Sequence, residues 1–510
     1  MRQIKSLSHL GKQIMVIDKS KRNLMYGLGG AGIGVLALSA ANRFSFISKT
    51  TFKAASNELR IPPLLDSRNG QNIAIDIQDG KHEFFPGILS QTKGFNGSYL
   101  GPTIRMYKGE TTKITFNNLL DEPTTIHGHG LHVDGRWDGG PQNIIKPGEK
   151  LEYQLNIIQQ SGTSWYHPHF MGKTAEHVHA GLAGMYIIED QNSLSANLPK
   201  RYGIDDVPLV LQDRTFINGV IKTYSVTPEQ IMQGLQEDSL VVNGTINAYK
   251  DVPKGWVRLR LLNGANARYY KLTLDNGGSF YKIATDGGFL NKPVPISELT
   301  IAPGERNEIM IDFSDGLDKR LLADFQSPEG EEFFTSLFTS SHSVLEMRVN
   351  TQLEPRGSLP VNLNDIRPYN INDVKVTRHF ELQMGEGGEE GQSNSSMDTH
   401  NMFSINGRSM DMAFINHESK KGQLELWKIS GENMRHPFHM HGTSFLILSQ
   451  NGNEPKPEDQ GWKDTVNVDE GVTEVLLKFD VTADSQSPFM YHCHILEHED
   501  AGMMGQFTVL

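Results

Sequence analysis

Cysteine is almost missing from this sequence: Cys493 is the only one in 510 residues. A single thiol excludes an intramolecular disulfide and any cysteine-rich zinc or iron–sulfur site. It leaves Cys493 to act as a ligand or a nucleophile. A basic surplus is missing too. Lys and Arg number 48 against 60 Asp and Glu, a formal charge of −12, so the footprint of a nucleic-acid partner is absent. The apolar stretch LMYGLGGAGIGVLALSAA (24–41) is short and glycine-rich for a membrane span of ~20 residues. What is abundant is turn chemistry, with 50 glycines and 23 prolines at 21% charged and 37% hydrophobic residues. That composition describes a soluble, turn-rich β protein, not a helical bundle. At ~150 residues per domain the length suggests about three domains.

The N-terminal region pairs basic residues (Arg2, Lys5, Lys12, Lys19, Lys21, Arg22) with that apolar stretch, followed by polar sequence. Ser39, Ala40 and Ala41 lie near a plausible cleavage point, so residues 1–50 read as an export signal and N-terminal segment. The expected location is periplasmic or otherwise exported, with no stable membrane insertion after processing; a retained anchor is the competing reading. KSKRNLM resembles a twin-arginine signal, with Lys21 where its first arginine belongs. Gly27, Gly29 and Gly32 spell G-x-G-x-x-G, but no strand precedes them and no βαβ unit follows, which rejects a dinucleotide site.

Beyond residue 50, short β-like runs (TTKITFNNL, KLEYQLNII, VRLRLLNG, EVLLKFDV) alternate with Gly, Pro, Asn and Asp turns, the pattern of β-sandwiches. A weak repeat places Asn-Gly ahead of a turn in FNGSYLGPTIRMYKGE, VNGTINAYKDVPKG and INGRSMDM. Polar linkers near 191–205 and 351–372 divide the chain into domains over 51–190, 205–350 and 373–510.

Histidine is the informative residue. Of 19, many stand at i, i+2: His127/His129, His167/His169, His177/His179, His439/His441 and His492/His494. On a strand such residues share a face ~7 Å apart, so two imidazoles can reach one metal or two neighbouring ones. One such pair is unremarkable; four with small or aromatic neighbours are not. Strand parity then sorts them. If 491–494 is extended, His492 and His494 face one side and Cys493 the other. His436, three residues before His439, points away from His439 and His441. Cys493 and His436 therefore belong to one site, completed by His498 and Met503 downstream. Two imidazoles, a thiolate and a distant thioether form the ligand set of a blue-copper electron-transfer centre. The other site gathers eight histidines, more than one ion can use. A copper acceptor joined through Cys493 to a copper cluster accumulates electrons, and dioxygen, which needs four, is the natural terminal acceptor.

The segments HGHG (127–130), WYHPH (165–169), HPFHMHG (436–442) and HCHILEHEDAGMM (492–504) resemble the four copper signatures of the multicopper oxidases, a likeness running from about residue 60 to the end. It implies an all-β fold of three consecutive cupredoxin-like Greek-key β-sandwich domains and four copper ions. His436, Cys493 and His498, with axial Met503, would hold type 1 copper, and His127 and His439 type 2. His129, His167, His169, His441, His492 and His494 would hold the type 3 pair. Gly128 departs from the pattern, which usually has tryptophan there; less shielding is expected, with the ligands unaffected. His132, His177 and His179 match no ligand position and read as surface or outer histidines. A two-domain nitrite reductase is a shorter chain without this set of pairs.

The resemblance assigns proton delivery to Asp138 and Glu499, and a partly buried acid with a raised pKa would suit that task. With Cys493 these are the expected catalytic residues. Seven of the 19 methionines lie between 384 and 440, and thioethers bind Cu(I). The nearest resemblance, extended by DGGFLNKPV (286–294) and GWKDTV (461–466), is to the bacterial copper-efflux oxidase branch. A substrate Cu(I) site would there fall on Met384, Glu389, Glu432 and Met434, although the methionine-rich insert of that branch is much reduced here. The expected partners are dioxygen and a Cu(I) or phenolic donor, acting on a monomer. A phenol or metal-ion laccase is the alternative. Family members that have lost copper and serve as structural or cell-division proteins, and a copper store without turnover, are the non-enzymatic readings.

Overall fold

The computed structural model describes residues 56–69, 72–329, 341–385 and 402–510. The expected export signal and the G-x-G-x-x-G run lie outside them, as does Glu389. Among the described residues no helix is long and apolar enough to cross a membrane.

The β reading holds, and period-two alternation explains why. In Ile73–Phe85, Ile73, Ile75 and Ile77 are buried while Ala74 is exposed, the signature of a strand with one face on a core. The sheets associate as three sandwiches, matching the cupredoxin-like expectation. In the first, a four-stranded sheet (Ile73–Phe85, Ile88–Phe95, Thr111–Asn118, Lys150–Asn156) faces a five-stranded one that ends on Gly162–His167 and His127–His129. Ile75, Phe95, Ile104, Phe116 and Tyr166 fill the space between. The middle sandwich packs two six-stranded sheets around Leu209, Leu259, Tyr270, Ile309 and Leu345. The short strand Asn57–Glu58 is one edge of it, parallel to Ala248–Val252. The third sandwich is formed from two five-stranded sheets around Phe380, Trp427, Phe438, Val475 and Phe507.

The three Asn-Gly turns are structurally equivalent, which explains the repeat. Asn96, Asn243 and Asn406 all adopt left-handed backbone angles (φ 53°, 49° and 55°), which asparagine tolerates better than other side chains. Each side chain clamps one strand of its sandwich. Asn96 Oδ1 accepts from Asp76 N (2.7 Å) and its Nδ2 donates to Ala74 O (2.9 Å). Asn243 does the same at Val210 and Pro208 (2.7 and 2.8 Å), and Asn406 at Glu381 and His379 (2.8 and 2.7 Å). In each sandwich the clamped strand also pairs in parallel with a later one: Ile73–Ile77 with Ile114–Asn118, Asp206–Leu211 with Arg258–Asn263, and Val376–Leu382 with Glu425–Gly431.

Of the three, only Asn243 is buried. Asn243→Ala is therefore expected to destabilise the protein by about 2 kcal/mol, leaving buried backbone groups unpaired, against ~1 kcal/mol for Asn96→Ala or Asn406→Ala. Thermal unfolding of the three variants should rank them in that order.

Candidate metal centre

Four short segments meet between the first and third sandwiches, and strand register aligns them. His127 stands opposite His167 in the antiparallel pair of His127–His129 with Gly162–His167. His439 stands opposite His492, and Phe438 opposite Cys493, where His436–Met440 pairs with Phe489–Cys493. All ten histidines and Cys493 are buried.

On one face of Phe489–Cys493, His436 Nδ1 lies 3.5 Å and His498 Nδ1 3.7 Å from Cys493 Sγ. Both rings are oriented by backbone carbonyls: Nε2 of His436 donates to Glu432 O (2.9 Å) and Nε2 of His498 to Met232 O (3.0 Å). Each unprotonated Nδ1 therefore points at the sulfur. Met503 lies in the same core, its carbonyl accepting from Cys493 N (3.1 Å). Burial pushes the Cys493 thiol far above its ordinary range. Such a thiol is no nucleophile, and a bound cation is what would remove its proton.

On the other face eight imidazoles converge in trios. His129, His167 and His494 bring ligand atoms within 4.8 Å of one another, as do His169, His441 and His492, and as do His127, His129 and His439. His127 stacks on His441 (3.8 Å between centroids) and His129 on His439 (3.6 Å). The outward nitrogens are held: Nδ1 of His127 donates to Asp138 O (2.8 Å), of His167 to Pro168 O (2.8 Å), of His439 to Asp464 O (2.8 Å) and of His492 to Cys493 O (2.9 Å). His441 Nδ1 donates to Asp138 Oδ2 (2.7 Å). Each of these bonds fixes a tautomer and aims the lone pair on the other nitrogen inward, the outer support typical of metal-bound histidine.

The residues fit a set of metal ions. His127 Nε2, His129 Nδ1, His167 Nε2, His439 Nε2 and both nitrogens of His494 are buried without a hydrogen-bond partner, a cost of ~1–3 kcal/mol each if left so. His441 Nε2 and His492 Nε2 face each other at 3.3 Å, although both Nδ1 atoms already carry the proton. Two lone pairs at that distance repel unless a cation lies between them. Imidazole nitrogens with one thiolate suit copper far better than magnesium or calcium.

The two expected acids differ. Glu499 lies 3.4 Å from His169 Nδ1 and 3.2 Å from His492 Nδ1. Burial, aided by Asp500, raises its carboxyl well above the usual range, as a proton source requires. Asp138 departs from the raised pKa expected of a buried acid. Burial pushes it up, but the facing His441 and His127 imidazoles outweigh burial and hold it below its ordinary value.

Two expectations about the surroundings need correction. His177 and His179 are buried, and EHVH lies in the helix Thr174–Ala180, where i, i+2 residues do not share a face and so form no ligand pair. His177 meets Thr124 Oγ1 (3.2 Å) and His179 meets Glu237 (2.9 Å), and neither joins the groups of converging ligand atoms. His132 is half-buried against Ser444 Oγ (3.0 Å). Shielding at Gly128 is not reduced either. Leu131 folds over it so closely that a Cβ there would lie 2.7 Å from Leu131 Cδ1.

Of the substrate candidates, Met384 and Met434 are both nearly buried, and Glu432 Oε2 accepts from Met384 N (3.3 Å). The same Glu432 supplies the carbonyl that orients His436. Sequence reasoning missed Asp464, whose Oδ1 is 3.2 Å from His129 Nε2 and whose carbonyl holds His439. GWKDTV contained it, but only as a mark of likeness. The Met232 carbonyl had no sequence signal at all.

Comparison with known proteins agrees with this geometry. Two family profiles described as multicopper oxidase match residues 76–193 and 377–510. The chain is 37% identical over 470 residues to multicopper oxidase mco of Staphylococcus haemolyticus, covering 90% of this chain and 94% of that one. It is also 37% identical over 461 residues to cell division protein FtsP of Xenorhabdus nematophila, covering 90% and 93%. Among solved structures, the laccase-like multicopper oxidase CueO of Ochrobactrum sp., described with oxidase activity towards lignin model compounds and lignosulfonate, superposes with a TM-score of 0.80 at 37% identity. It covers 89% of this chain and 100% of that one. A Campylobacter jejuni multicopper oxidase described as a metallo-oxidase gives 0.77 at 29% identity, covering 89% and 96%. With its buried imidazoles aimed at common points, this chain belongs to the multicopper oxidase family, whose cofactor is copper and whose electron acceptor is dioxygen.

Proposed function

We propose that this chain is an exported oxidase that takes single electrons from a donor beside His436 and delivers them to dioxygen at the histidine cluster, with Cu(I) as principal donor and phenols as incidental ones. The observation that carries the reading is the arrangement of inward-aimed lone pairs on both faces of Phe489–Cys493. Export rests on the basic region and apolar stretch ahead of residue 42. The three sandwiches are read as domains over 51–190, 205–350 and 373–510, with Asn57–Glu58 reaching into the middle one.

The twelve side chains are assigned as four copper sites: His436, Cys493, His498 and Met503 for type 1; His127 and His439 for type 2; His129–His167–His494 and His169–His441–His492 for the type 3 pair. Copper bound there would supply one-electron acceptance at the thiolate and four-electron reduction of dioxygen at the cluster. The protein's own part is positional. His492–Cys493–His494 is a continuous covalent link between the two sites. Burial excludes water from both, and protonated Glu499, against His169 and His492, holds a proton within reach of the cluster. Asp138, held ionised, orients His441 and, through its carbonyl, His127.

Similarity does not choose between oxidase and cell-division protein, since both relatives are 37% identical. The complete ligand set favours the oxidase. For the donor, Met384, Met434 and Glu432 gather against the carbonyl that orients His436, which supports Cu(I). The Ochrobactrum relative's activity on lignin compounds keeps a general laccase as the second reading.

Oxygen uptake by copper-loaded protein decides. Faster uptake with buffered Cu(I) than with a phenol, abolished in Cys493→Ser, is expected. Uptake with phenol alone would make the protein a laccase, and none from either would sink the enzyme reading. Met434→Leu, nearly volume-conserving, should lower Cu(I)-driven uptake about tenfold, about 1.4 kcal/mol, and phenol-driven uptake much less.

The site also predicts acid sensitivity of the copper-free protein. Burial lowers His436 to about 4 and His441 to about 3, and depresses His129, His167, His169, His439, His492, His494 and His498 as well. Below an unfolded pKa of about 6.5 the unfolded chain binds these protons first, so folding stability falls as pH drops from about 6.5 towards 4. Thermal midpoints of copper-free protein across that range should fall steeply; a flat profile would rule out neutral burial of the imidazoles.

A further inference from the structure

The middle sandwich supplies none of the twelve assigned ligands, yet one of its side chains reaches the cluster. Arg306 begins the strand Arg306–Asp312 and is fully buried. A guanidinium has five N–H donors in a fixed fork, and here all five have acceptors. Nε donates to Thr163 O (3.2 Å), Nη1 to Gly304 O (3.1 Å) and Asp464 Oδ1 (2.7 Å), and Nη2 to Asp286 O (3.3 Å) and Asp464 Oδ2.

Each of three acceptor residues supports a different member of one trio. Thr163 lies on the strand Gly162–His167, which carries His167. Gly304 is in a tight turn (φ +81°) pressed against His494; a Cβ there would lie 2.7 Å from His494 Cδ2. Asp464 Oδ1 faces His129 Nε2 at 3.2 Å, leaving His129 Nδ1 to point inward. Through its backbone carbonyl Asp464 also holds His439, while Thr465 Oγ1 lies 3.2 Å from His439 Nδ1 and 3.4 Å from His129 Nε2. Asp286 ties the fork to its own sandwich by accepting from Arg306 N (2.8 Å), and to the third sandwich by pairing with Lys463 (3.0 Å).

We infer that Arg306 is a positioning residue for the copper cluster: it fixes the spacing of His129, His167 and His494 and the orientation of His439 by bracing their supports from the middle sandwich. The inference rests on the four-copper assignment above. A lysine would keep the charge but not the fork, so bracing of Thr163 and Gly304 is lost even where a pair with Asp464 survives.

The test uses copper-loaded full-length protein. Wild type, Arg306→Lys and Asp464→Asn are titrated with a copper chelator, following bound copper by metal analysis, the paramagnetic resonance of non-thiolate Cu(II), and the visible absorption of thiolate-bound Cu(II) at Cys493. Loss of outer-shell support weakens metal binding ~10–100-fold. Arg306→Lys is therefore expected to release cluster copper at ~10–100-fold lower chelator and to show an altered non-thiolate resonance, with the thiolate absorption intact. Curves and spectra that superimpose on wild type would overturn the inference. Wild type without copper beyond the thiolate site would instead overturn the four-copper assignment. If Arg306→Lys gives neither a thermal transition nor the thiolate absorption, Asp464→Asn, which keeps both the arginine and the side-chain shape, decides alone: weakened cluster copper supports the bracing, and wild-type retention overturns it.

Discussion

Everything at the centre of this protein follows from burying ten imidazoles together. Protonated rings packed this closely would repel one another and lose their hydration, so close burial favours the neutral form. A neutral imidazole must still choose which nitrogen keeps the proton. Backbone carbonyls and two aspartates make that choice for eight of the ten: Asp138, Asp464, Glu432, Met232, Pro168 and Cys493 each accept from an outward nitrogen. The inward lone pairs are then set before any ion arrives. Most acceptors are backbone groups, so the preorganisation lies in the course of the chain more than in neighbouring side chains.

β pairing is what makes that course accurate. Placing His127 opposite His167 and His439 opposite His492 is a register fact, and a one-residue slip would send every ligand to the wrong face. The Asn-Gly clamps contribute here at a distance. Each ties one strand of its sandwich at two backbone positions, and in the first and third sandwiches that strand belongs to the sheet facing the one that carries the ligand strands.

The separation of Cys493 and His436 from the histidine face was legible because His127, His129, His167, His436, His439, His492 and Cys493 sit on strands, where parity applies, and His169, His441 and His494 directly follow those strands. His177 and His179, set aside as non-ligands, lie on a helix where parity does not apply, and burial of both was invisible because their partners, Thr124, Glu122 and Glu237, are distant in sequence. Gly128 misled for a related reason: the space a larger residue would fill is taken by Leu131, a contact made by the turn and not by position 128. Burial of Asp138 is not visible in the sequence, and neither is the facing His441 that outweighs it. Arg306 and Asp464 are 158 positions apart, beyond any local pattern, so their pairing had no sequence signature.

The same separation explains how one fold can hold both oxidases and cell-division proteins at equal identity. The three cores consist mainly of Ile, Val, Leu, Phe, Tyr, Trp, Met and Ala, and the histidine ligands meet between the first and third of them. Losing the histidines would therefore cost the site far more than the sandwiches, and a chain could keep its fold and shed its chemistry. Function has to be argued from the site and not from the architecture. In this chain the site has kept its twelve assigned ligands together with costly supports: unpaired buried nitrogens, a buried carboxylate facing imidazoles and an arginine saturated by five acceptors. A protein that needed only the sandwich would gain stability by replacing these groups with apolar ones, so their joint presence is itself an argument that the metal chemistry is in use.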